Sequence, residues 1–251
     1  MRHRLQLIGA IVIASSAPAL TWAAEAQVAV AANFAEPIKA IAAVLEKTTG
    51  HTIKITLGAT GKLYAQIKNG APFDVLLAAD STATAKLEVE EVAVRGSRFT
   101  YATGRLVLWS SREGRVDDQG AVLRSPDLGK VAYAAPKVAP YGIAAVETMD
   151  RLGLRAALAP KLVQGESIGQ TFNFVHTGNA DVGFVALSQV LHQGRLRSGS
   201  MWLVPDSFHS PIRQEAVLLK RGAGNEAARA LMQLLKEPAT RSLIRTYGYG
   251  D

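Results

Sequence analysis

Three observations in this 251-residue sequence predict an α/β protein of two lobes, each a mostly parallel sheet flanked by helices, joined by a double-crossover hinge. Strand-like and helix-like periodicities alternate from residue 27 onward. The alternation starts afresh after a long extended run at 98–110. A second extended run at 214–220 then precedes the last helices, as if the chain returned to where it began.

The elements follow in order. Residues 1–26 (MRHRLQLIGAIVIASSAPALTWAAEA) place Arg2 and Arg4 ahead of an apolar run at 5–13, then small residues with cleavage sites after Ala23 or Ala26. This is the pattern of a secretory signal peptide, and it implies an exported mature protein. Alternation in 27–31 (QVAVA) and 52–57 (TIKITL) marks two strands, and 73–79 (FDVLLAA) is a more continuously apolar third. A helix at 34–47 puts Ile38, Ile41, Val44 and Leu45 on one face and stops at Gly50. A shorter one at 62–68 stops at Asn69-Gly70. The run 98–110 is broken by Gly104. Beyond it come a strand at 131–134, a helix at 143–152, a strand at 162–163, a helix near 170–176 and a strand at 182–186. Helices at 226–236 and 238–246 end the chain. The first lobe is therefore expected over 27–104 plus 214–251, and the second over 105–213.

Composition narrows the function. The net charge is +7, and excision of 1–26 removes only Arg2, Arg4 and Glu25. The positive excess is spread thinly, without blocks of like charge or interleaved aromatics, which argues against nucleic acid and suits steering of small anions. There is no cysteine, and the five histidines are scattered, so neither thiolate chemistry nor a zinc centre is expected.

The segment GATGK (58–62) looks like part of a phosphate-binding loop, but Thr56 and Leu63 stand where that motif needs Gly and Ser or Thr. Its physics survives the loss of the motif, because a strand that ends in small residues and opens a helix still presents free N–H groups. Four such junctions occur, two per lobe: Ala31-Ala32-Asn33, Ala59-Thr60-Gly61, Pro140-Tyr141-Gly142 and Glu166-Ser167-Ile168-Gly169. Placed at the carboxyl ends of strands they would face one crevice. Asn33, Thr60 and Tyr141 would add neutral side-chain donors, although Asn33 and Thr60 are equally preferred helix caps. Such a crevice suits a small anion that only accepts hydrogen bonds.

Asn33-Phe34, TTGHTIKITLGATGKLYAQIKNGAPFDVLLAAD (48–80), GSRFTYATGRLVLWS (96–110), VAPYG (138–142), ESIGQ (166–170), DVGFVALSQ (181–189) and RTYGY (245–249) resemble, in order and over essentially the whole mature chain, the periplasmic molybdate-binding proteins of ABC importers. The resemblance implies a type II periplasmic binding protein fold. It implies no enzyme activity and no cofactor. It also implies a monomer that captures molybdate or tungstate and hands it to an ABC permease in the inner membrane. The oxyanion contacts it implies are Ala32, Asn33, Thr60, Tyr141 and Ile168, the last through its backbone, with no free metal ion. Ala32 and Ala186 stand where relatives carry hydroxyl side chains, whereas Tyr141 stands where those relatives carry alanine.

Two other readings stay open. Sulfate, phosphate or a small organic acid would fit the same crevice, although phosphate, which keeps a proton at neutral pH, calls for a carboxylate acceptor that only Glu166 offers. A secreted hydrolase would have to draw on Ser188, His192, Asp181 or His176, and no G-x-S-x-G elbow is present.

Overall fold

The computed structural model describes residues 23–251, so most of the expected signal peptide lies outside the described residues. Twelve strands run in chain order: β1 (Glu25–Ala31), β2 (Thr52–Gly58), β3 (Val75–Ala78), β4 (Phe99–Gly104), β5 (Leu106–Ser110), β6 (Val131–Ala134), β7 (Leu162–Gly165), β8 (Val182–Ala186), β9 (Leu191–His192), β10 (Arg195–Leu196), β11 (Ser200–Leu203) and β12 (Ile212–Leu218). They build two five-stranded sheets, ordered β2-β1-β3-β12-β4 and β11-β5-β8-β6-β7, and a small β9–β10 hairpin. The helices are α1 (Ala35–Thr49), α2 (Thr60–Lys68), α3 (Ser81–Val89), α4 (Pro140–Arg151), α5 (Arg155–Leu158), α6 (Ile168–His176), α7 (Leu187–Val190), α8 (Glu226–Leu234) and α9 (Pro238–Arg245).

Each sheet is evenly mixed. In the first, β1 is parallel to β2 and β3, whereas β12 is antiparallel to β3 and β4. In the second, β6 is parallel to β7 and β8, whereas β5 is antiparallel to β8 and β11. The antiparallel halves arise where the chain passes between sheets: β4 leads straight into β5 with only Arg105 between them, and no crossover helix intervenes to reverse direction. The long extended run at 98–110 is thus two strands in two sheets. The parallel halves carry the strand-to-helix junctions.

Sequence logic and packing agree along most elements. In α1, Ile38, Ile41 and Leu45 are fully buried, while Val44 at the edge of the face stays 38% exposed. The helix ends at Gly50, whose φ of 73° is the left-handed conformation that glycine adopts freely, and its N–H closes the last turn on Glu46 O. Phe34, just ahead of α1, is fully buried against the rings of Tyr101 and Tyr249, with centroids 4.8 and 5.5 Å away. Burial of such a side chain contributes about 1.5–3 kcal/mol, so it pins the first junction to the strand and tail that carry those tyrosines. Helix α3 has no counterpart in the sequence reading. Its stretch STATAKLEV has weak apolar periodicity, and its start is set by Asp80, which accepts from the Ala83 N–H at 2.7 Å.

Among the described residues, no helix is long and apolar enough to cross a membrane, and no group of three metal-ligating side chains occurs.

Candidate functional site

The four junctions fall at the carboxyl ends of parallel strands: Ala32 follows β1, Thr60 follows β2, Pro140 follows β6 after a five-residue loop, and Ile168 follows β7. They meet across the two sheets. Ala31, Ala59 and Ala79 from the first sheet pack in one apolar cluster with Ala139, Tyr141 and Ile168 from the second, and Ala32 packs against it. The Gly61 N–H donates to Val138 O at 2.9 Å, and a side chain at Gly61 would bring its Cβ within 3.0 Å of Val138 Cα. The glycine of the GATGK segment therefore serves close approach of the two sides. At the rim, Lys62 Nζ meets Glu166 Oε2 at 2.6 Å, with both side chains exposed, and this pairing lowers the Glu166 carboxyl. Two grooves reach the junctions: one of about 430 Å³ lined by Ala32, Asn33, Gly169 and Ser188, the other of about 360 Å³ lined by Gly61, Asp80, Lys137 and Pro140.

The donors can be taken one at a time. Thr60 and Ile168 are first residues of α2 and α6, and Tyr141 is second in α4, so their N–H groups have no acceptor inside their own helices. Thr60 Oγ1 accepts from the Ala79 N–H at 3.0 Å and keeps its own proton to give. Ser167, ahead of Ile168, caps α6 by accepting from the Gln170 N–H.

Asn33 departs from expectation. Its Nδ2 donates to Gln214 Oε1 at 2.7 Å and to the Tyr249 hydroxyl at 2.9 Å, and both are buried. Gln214 cannot turn its amide round, because its Nε2 donates to Ile212 O at 3.0 Å. Both Asn33 side-chain protons are therefore spent within the protein, and its Oδ1 is a buried acceptor without a partner. What Asn33 offers an anion is its backbone N–H, not its side-chain amide. Tyr141 is the reverse case. Its hydroxyl is buried, has no partner in the protein, and lies against Gly104 at the strand crossing, where a Cβ on residue 104 would be 2.2 Å from it. Burial, reinforced by Tyr249 and Tyr101, pushes its pKa well above the usual value, so it remains a neutral donor.

Sequence reasoning missed four polar residues that organise this region: Gln214, Tyr249, Ser188 and Gln189. Ser188 Oγ donates to the Asn33 carbonyl at 2.8 Å, and Gln189 Nε2 donates to the Ile168 carbonyl at 3.1 Å. The signal was a pair of polar residues in ALSQ, directly after an apolar strand. A fifth junction, at Asp80, was hidden because α3 was not foreseen.

The residues weighed for hydrolysis do not converge. Asp181 is held by Arg112 and Arg115, His176 stacks on Phe172 at 5.4 Å, and His192 lies 3.4 Å from Arg197. The Ser188 hydroxyl is hydrogen-bonded to Asn33 and Tyr249, not to a histidine.

Comparison with known proteins agrees with this geometry. The chain is 56% identical over 228 residues to the molybdate-binding protein ModA of Azotobacter vinelandii, covering 91% of this chain and 90% of that protein. It is 51% identical over 240 residues to the molybdate-binding protein ModA of Rhodobacter capsulatus, covering 96% and 93%. The structure superimposes on the Azotobacter vinelandii periplasmic molybdate-binding protein with a TM-score of 0.87 and 39% identity, over 89% of this chain and 98% of that one. The model of the bacterial extracellular solute-binding proteins matches residues 26–250, and the chain belongs to that family.

Proposed function

We propose that this protein captures molybdate, and tungstate with it, in the cleft between its sheets and delivers the anion to an ABC permease. The observation that carries this reading is the convergence of four helix-start junctions, two from each sheet, at which Asn33, Thr60, Tyr141 and Ile168 are all uncharged, while charged side chains such as Glu166, Asp80 and Lys137 line the flanking grooves. The names of relatives at 51–56% identity support the same ligand. On this reading the contacts are the backbone N–H groups of Asn33, Thr60, Tyr141 and Ile168, with the hydroxyls of Thr60 and Tyr141. Ala32 forms part of the wall. About six donor contacts worth roughly 1–3 kcal/mol each, less an association cost of at least about 4 kcal/mol, support micromolar or tighter binding. The protein acts as a binding protein, not an enzyme.

The lobes of this reading are 27–104 with 214–251, and 105–213, in keeping with the strand membership of the two sheets. Export to the periplasm rests on the signal sequence and on the periplasmic relative. Cleavage after Ala23 is favoured over Ala26, because Glu25 and Ala26 are paired in β1 with Thr52 and Ile53. Calorimetric titration of ligand-free protein with molybdate, tungstate, sulfate and phosphate tests the assignment. Molybdate and tungstate should bind alike and sulfate at least about a hundredfold more weakly, since a smaller anion leaves two or three donors unpaired. Equal binding of sulfate and molybdate would refute it, and preference for phosphate would point to Asp80 as the acceptor.

A further inference from the structure

We propose that Ser188 and Gln189 are positioning residues that set the spacing between two of the anion-facing junctions; this rests on the oxyanion reading above. The two are adjacent in α7, the single turn that follows β8. Ser188 reaches the first sheet's junction, where its Oγ donates to the Asn33 carbonyl at 2.8 Å. Gln189 reaches the second sheet's junction, where its Nε2 donates to the Ile168 carbonyl at 3.1 Å. Neither arm is free to swing. Gln189 Oε1 accepts from the Ala186 N–H at 3.0 Å, which fixes the amide orientation and with it the donor toward Ile168. Ser188 is 3% exposed and lies 3.1 Å from the Tyr249 hydroxyl, which itself donates to the Asn33 carbonyl at 2.9 Å.

One turn of helix thus grips both walls through consecutive side chains. The gripped carbonyls belong to Asn33 and Ile168, whose own N–H groups are anion contacts on the reading above, and the junctions approach closely here: a side chain on Gly169 would place its Cβ 3.4 Å from the Ala32 Cβ. The donors of a rigid cavity discriminate anions by size only while their separation is held. The Ser188–Gln189 turn supplies that constraint through the two carbonyls it grips.

The test is titration of wild type, Ser188→Ala, Ser188→Thr and Gln189→Met with molybdate and with sulfate, alongside the melting temperature of each ligand-free protein. Ser188→Ala is expected to weaken molybdate about fivefold to tenfold while sulfate changes little, so that the sulfate-to-molybdate Kd ratio falls at least about threefold. Ser188→Thr, which keeps the hydroxyl, should restore the ratio, and Gln189→Met should lower it as Ser188→Ala does. A merely structural role would lower the melting temperature and leave the ratio unchanged, and an unchanged ratio in both Ser188→Ala and Gln189→Met overturns the proposal. If one of these variants does not fold, the ratio in the other decides. Failure of the oxyanion reading looks different, because the wild type itself would then bind neither anion.

Discussion

Negative charge is handled in two opposite ways within this molecule. On the second sheet, Asp181 is held by the guanidinium groups of Arg112 and Arg115 and by the Gly129 N–H at 3.0 Å, and its side chain is only 8% exposed. Burial pushes its carboxyl up, but the hydrogen bonds from Arg115, Gly129 and Arg112 outweigh that and bring it to about 2. In the proposed cleft the junctions offer peptide N–H groups and hydroxyls instead, and Lys62 is paired with Glu166 at the rim. The difference teaches what each anion is for. A resident carboxylate is locked by full opposite charges, whereas a passing dianion is offered fixed dipoles that bind it without trapping it.

Mutation of the resident anion should sharpen this contrast most. Asp181→Ala leaves Arg115, which is 17% exposed, with Asp127 as its remaining carboxylate partner, and should cost about 2–3 kcal/mol of stability in urea unfolding while leaving the molybdate Kd within about twofold. A large change in affinity would show that the two regions are coupled.

Acid should act on the same residue. Its folded value lies below the ordinary aspartate value of about 3.9, so its contribution is fully present above that value and is lost as pH falls toward about 2. About 2 kcal/mol should disappear between roughly pH 5 and pH 2 in wild type, and little of that loss should remain in Asp181→Asn. Indistinguishable acid profiles would remove Asp181 from the account.

In the cleft, Tyr141→Phe should weaken molybdate about tenfold with a melting temperature no lower than wild type, because the hydroxyl has no partner in the protein to lose. Unchanged affinity would mean that this hydroxyl serves the strand crossing at Gly104 and not the guest. The smallest effect is expected at the rim. Lys62→Gln breaks an exposed pair and should change affinity by less than about threefold, an effect that fades with added salt. Abolished binding would show that the cleft relies on charge after all.

Much of this was legible in the residues themselves. The four junctions announced themselves through local chemistry, small residues at strand ends and helix starts just beyond, and local chemistry is what a sequence displays. Ser188 was weighed only as a hydrolytic hydroxyl, because its partner Asn33 lies 155 residues away and nothing nearby encodes the meeting. Asn33 was misjudged for the same reason: its amide is spent on Gln214 and Tyr249, from distant strand and tail. The parallel halves of the sheets followed from the βα alternation. The antiparallel halves did not, since strand direction across a one-residue connection is decided by which sheet receives the next strand.

That one-residue connection also bears on how the chain acquires its structure. All strands of the second sheet come from one continuous stretch, β5 to β11, whereas the first sheet places β12, a late arrival, between β3 and β4. The second sheet can therefore form without any strand from outside its own stretch, while the first keeps β3 and β4 unpaired on their facing edges until β12, more than a hundred residues after β4, arrives. Contacts so distant carry a higher entropic cost of loop closure than pairings between strands closer in the chain. The strand that supplies Gln214 to Asn33 is thus also the one that closes the first sheet.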